Sequence, residues 1–117
     1  MAAKRLSFWE PAGFAAGMAL GLAAFAALAG ENALVSIDKY AFDPQTLTVK
    51  AGTTVIWANN EKRTSHDVTI PSLGKASDRL MSGDGFSVRF DTPGRYPYFC
   101  ESHKTMPSMH GEVIVTD

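Results

Sequence analysis

Between Tyr96 and Gly111 the chain reads YPYFCESHKTMPSMHG, and this stretch holds its only cysteine, two of its three histidines and two of its five methionines. Cys100 is followed by His103, Met106, Met109 and His110. Thiolate and thioether are soft donors that stabilise Cu(I), and imidazole serves both Cu(I) and Cu(II). A thiol beside an imidazole could also be a nucleophilic pair. However, no third orienting group or oxyanion-hole motif accompanies it, and methionine has no role in that chemistry. Structural zinc fits poorly, because thioether is a weak zinc ligand. A lone cysteine cannot form an internal disulfide, so Cys100 is an inert buried thiol, a reactive one or a metal ligand. The third histidine, His66 in TSHDVTI, lies far away in the chain. Two imidazoles, a thiolate and a thioether make up the donor set of a mononuclear copper site with histidine and cysteine in a trigonal plane and methionine as a long axial ligand.

The elements that must position these residues read as strands. LVSIDKY, TLTVK, TTVIWAN, GFSVRF and EVIVT alternate apolar with polar residues and are separated by turn chemistry such as FDP, AGT, SGDG and TPG. No helical period follows residue 33. The pattern predicts an all-β, Greek-key sandwich of seven to eight strands. Its expected core is Val35, Ile37, Leu47, Val49, Val55, Trp57, Phe86, Val88, Phe90, Val113 and Val115, and residues 71–84 are expected to form a long connection. Tyr98, Cys100 and Trp57 loosely match an immunoglobulin-type domain, but the partner cysteine that such a domain requires is missing. Alternation puts Tyr96, Tyr98 and Cys100 on one face, and Met109, Gly111, Val113 and Val115 on another. Met109 then points inward and His110 outward, while the direction of Met106 is left open. Met81 reads as core filler, and Trp57, Tyr96 and Tyr98 as core and corner residues.

VSIDKYAFDPQTLTVKAGTTVIWANNE, SHDVTI, GRYPYFCESH and MHGEV together resemble the cupredoxins, specifically the amicyanin, plastocyanin and pseudoazurin group. The resemblance covers residues 30–117 and implies a type 1 copper centre that transfers single electrons in an exported space. Carried over residue by residue, it implies the ligands His66, Cys100, His103 and Met109, with the loop histidine His103 as the electron's exit. The implied partners are redox proteins, such as a c-type cytochrome or a periplasmic dehydrogenase or oxidase, met transiently by a monomer. The sequence departs from the family pattern at Glu101 and Ser102, at Asp67 after the first histidine, and in a longer histidine-to-methionine loop. Met106 stands at the amicyanin-like distance from His103, whereas Met109 satisfies the M-x-G-x-V register. Carboxylates at Asp67 and Glu101 would favour Cu(II) and lower the potential. The spare methionine and histidine in KTMPSMH also suit a protein that carries or stores copper without a dedicated redox role.

Residues 1–29 are different material. Lys4 and Arg5 precede an uncharged run from Ala12 to Gly30 that contains ALA ending at Ala29. This is the form of a secretory signal peptide, with an uncleaved anchor as the alternative. Either one predicts export, most simply to the periplasm. With 11 basic against 12 acidic residues in 117, the chain offers no electrostatic surplus for nucleic acid.

Overall fold

The structure is a computed structural model and describes residues 31–117; the apolar N-terminal run lies outside the described residues. Among the described residues nine strands make two sheets: β1 (Asn32–Asp38), β2 (Ala41–Asp43), β3 (Thr46–Lys50), β4 (Thr53–Asn59), β5 (Thr69–Ile70), β6 (Lys75–Ala76), β7 (Gly85–Phe90), β8 (Gly94–Phe99) and β9 (His110–Thr116). One sheet runs β2-β1-β4-β7 and the other β3-β9-β8-β5-β6. β1 with β4 and β3 with β9 are parallel pairs, while the remaining pairs are antiparallel. Consecutive strands repeatedly change sheets, so the sandwich is sewn shut by contacts distant in sequence.

The strand count exceeds the expected seven to eight for two local reasons. LVSIDKY does not run through: Asp38 pairs with Ala41 across a two-residue turn made by Lys39 and Tyr40, both at positive φ. That mirror-image turn normally signals itself with Asn-Gly, and nothing in Lys-Tyr does. In addition, the connection after Pro71 contains the two-residue β6 and sends Leu80 into the core.

The inward faces follow the alternation. Val35, Ile37, Val49, Val55, Trp57, Val88, Phe90, Val113 and Val115 are buried, and Leu47 and Phe86 are part-buried at the margin. Phe42, Val68, Ile70 and Tyr98 complete this core, and Met81 is exposed rather than buried. Met81 lies in the turn before β7, where its backbone N–H donates to the Asp84 carboxylate, so the chain has no inward face to offer it. Tyr98 packs edge-to-face on Trp57 and Phe42, and burial pushes its phenol up to about 12. The corner bond belongs to Tyr96 instead, whose hydroxyl donates to Thr92 O. Gly111 is required beside Tyr98, because a Cβ there would overlap the phenol ring and crowd Gln45 O.

Candidate metal centre

The site sits where β8 ends and β9 begins. Cys100 follows β8 and is fully buried. Its sulfur lies 3.4 Å from His103 Nδ1 and 3.9 Å from His66 Nδ1. The three donor atoms are all within 4.8 Å of one another. A trigonal ion with bonds of about 2.0 Å to nitrogen and about 2.3 Å to sulfur sets N and S roughly 3.8 Å apart, close to both separations. The donors therefore fit one metal ion.

His66 comes from outside the loop and is held by the body of the sandwich. Its N–H donates to Leu80 O (3.0 Å), and Leu80 N–H donates back to His66 O (2.7 Å). Buried Asn59 donates to Leu80 O (2.8 Å) and Thr64 O (3.0 Å), closing the segment between β4 and His66. Glu61 Oε1 lies 3.4 Å from His66 Nε2. A carboxylate can only accept, so this contact selects the Nε2–H tautomer and leaves the Nδ1 lone pair facing the sulfur. Burial holds the His66 pKa below its ordinary value, outweighing the opposing hydrogen bond from Glu61, so the imidazole is neutral and fit to ligate.

The other donors come from one loop with a three-residue rhythm. His103 N–H donates to Cys100 O (3.1 Å), Met106 N–H to His103 O (2.9 Å) and Met109 N–H to Met106 O (2.9 Å). Cys100 N–H donates to Met109 O (3.0 Å) and closes the circuit. Gln45 Nε2 clamps the loop from outside, donating to Pro107 O (3.0 Å) and His110 O (2.8 Å). Met109 is fully buried as expected, but it ends a short 3₁₀ turn (Pro107–Met109) rather than lying in β9. Met106 is part-buried against the core. His110 is exposed, as alternation predicts, and its Nε2 meets Lys104 O at 2.6 Å.

The two carboxylates singled out in the sequence do different things. Asp67 turns onto the loop, accepting from Glu101 N (2.5 Å) and Ser102 Oγ (2.7 Å), while its own N–H donates to Cys100 Sγ (3.4 Å). Glu101 faces solvent and pairs with Lys104 at 2.9 Å. Gln45, Asn59 and Glu61 lie in the stretch that carries the family resemblance, but the sequence assigned them no role at the site. None sits in a ligand-like motif, and each acts across a gap of five to sixty-five residues.

A two-sheet sandwich with a thiolate and two imidazoles converging at one end defines a small single-centre metalloprotein. The family model for a cupredoxin-like domain matches residues 12–115. The chloroplastic plastocyanin of Tetradesmus obliquus is 36% identical over 112 residues, spanning 86% of this chain and 74% of that protein. Amicyanin-alpha of Methylorubrum extorquens is 35% identical, spanning 69% of each. Among solved structures, a methionine-to-alanine mutant of amicyanin in the Cu(I) form superposes with a TM-score of 0.66 at 29% identity, covering 73% of this chain and 82% of that one. The chain belongs to the cupredoxin family, and its donor set is matched to that family's single copper ion.

Proposed function

We propose that this protein is an exported one-electron carrier in which His66, Cys100, His103 and Met109 would hold one type 1 copper ion. The observation that carries the reading is the convergence of two Nδ1 atoms on one buried sulfur. Bound there, copper supplies a Cu(I)/Cu(II) couple. The protein's part is to hold the donors still. Asn59 and Leu80 fix His66, Glu61 sets its tautomer, and the loop circuit fixes Cys100 relative to Met109. Asp67 N–H donates to the sulfur and tempers its charge. His103 is the part-exposed ligand, through which the electron leaves for a partner such as a c-type cytochrome or a periplasmic dehydrogenase or oxidase. Residues 1–29 act as the export signal, and the domain of residues 30–117 works as a monomer in the periplasm. No substrate is turned over.

The Cu(II) protein is expected to show an intense visible band from thiolate-to-copper charge transfer. Cys100→Ser should abolish the band and leave the far-UV spectrum of the sandwich unchanged. A blue Cys100→Ser protein would end this reading.

A further inference from the structure

Tyr40 occupies a position that the electron-carrier reading does not explain. It is the second residue of the turn between β1 and β2, with φ at +56°, and Lys39 before it has φ at +54°. Two successive side-chain-bearing residues in the left-handed region cost conformational energy that an Asn-Gly turn would largely avoid. Strain retained at such a place points toward function when the surroundings use the residue, and here they use every part of it.

The Tyr40 ring stands perpendicular to both candidate ligand imidazoles, 5.0 Å from His103 and 5.5 Å from His66 between ring centres. Those two imidazoles are themselves 5.0 Å apart. Tyr40 therefore touches both and fills the corner between them. Its N–H donates to Glu61 Oε1 at 2.7 Å, the same oxygen that faces His66 Nε2. Its carbonyl accepts from Ser108 Oγ in the methionine turn. Its hydroxyl meets Thr64 Oγ1 at 3.1 Å, just before His66. One residue thus reaches both segments that bring donors to the site.

We propose that Tyr40 is a positioning residue that locks the His66 and His103 rings, and the loop ending at Met109, into their ligating arrangement before any metal binds. A ring packed edge-to-face against two imidazoles limits their rotation, and rigid donors keep the site from rearranging when its charge changes. The left-handed turn is what directs this side chain and both backbone groups into the site. The copper readouts of this idea rest on the electron-carrier reading, but the copper-free ones do not.

Two substitutions separate the ring from the backbone. Tyr40→Phe keeps the ring and loses only the contact to Thr64. Tyr40→Gly removes the ring, keeps the N–H and C=O bonds, and relieves the turn, so the sandwich should stay folded. In the copper-free full chain, NMR should show cross-peaks from Tyr40 ring protons to both imidazoles, and Tyr40→Phe should keep them. Tyr40→Gly should broaden the His103 imidazole resonances, and after Cu(II) loading it should shift the EPR hyperfine splitting and the visible band. The proposal is overturned if copper-free wild type lacks the cross-peak to His103. It is equally overturned if Tyr40→Gly keeps wild-type imidazole line widths and Cu(II) spectra. Wild-type protein that takes up no Cu(II) would refute the electron-carrier reading, while the copper-free measurements would still decide the role of Tyr40.

Discussion

The candidate centre is assembled from two regions built on opposite plans. The loop from Cys100 to Met109 holds itself, with four backbone hydrogen bonds linking Cys100, His103, Met106 and Met109 into a closed circuit. The segment from Asn59 to His66 adds to its internal bonds a set of ties to others, running to Leu80, Tyr40 and, through Asp67 next door, the loop. The first region is local and its outer ligand is part-exposed. The second is long-range and its ligand is fully buried. A site built this way can vary its loop while the body of the sandwich keeps one histidine fixed.

The sharpest way to break the comparison is Asn59→Ala. It would leave Thr64 O and Glu61 N without this partner in a largely buried place, and Leu80 O with only the His66 N–H. At roughly 1–3 kcal/mol for each unsatisfied buried group, with water reaching some of them, the expected loss is about 2–4 kcal/mol. Urea unfolding of the copper-free protein measures it, and a loss under about 0.5 kcal/mol would mean that this segment is not held by Asn59.

His66 gives the next effect. Its folded-state pKa is lowered by burial from 6.5, so below 6.5 the unfolded chain binds a proton that the folded chain refuses. Copper-free stability should therefore be level above 6.5 and fall as pH drops below it, by up to about 1.4 kcal/mol per pH unit from this group. His66→Gln should remove that component from the same unfolding curves.

The loop should be less demanding. Gln45→Ala takes away two exposed hydrogen bonds, and water can replace them, so about 0.5–1.5 kcal/mol is expected. A larger drop in thermal midpoint would show that the loop leans on β3 as heavily as His66 leans on Leu80. The two methionines give the finest distinction. Met109→Leu should keep the colour and raise the reduction potential, because losing a weak donor destabilises Cu(II) more than Cu(I). Met106→Leu should leave the potential almost unchanged. Cyclic voltammetry decides, and reversed outcomes would make Met106 the axial ligand. If neither moved the potential but both sped copper loss to a chelator, the protein would be a copper handler and not an electron carrier.

Periodicity carried much of this in plain view. TLTVK, TTVIWAN and GFSVRF became strands over those same residues, because alternation needs only neighbours to be expressed. The loop donors were legible for the same reason: Cys100, His103 and Met109 lie within ten residues, and their spacing is already a geometry. The turn at Lys39 and Tyr40 was not legible, because its residues contradict the turn they make and only contacts from Glu61, Thr64 and Ser108 hold them there. The residue types and local spacing were therefore settled by the sequence alone. Which side chains hold His66 from across the sandwich, and which tautomer and ring plane each histidine takes, were decided only in three dimensions. Those choices depend on hydrogen bonds and ring contacts between segments that no local period relates.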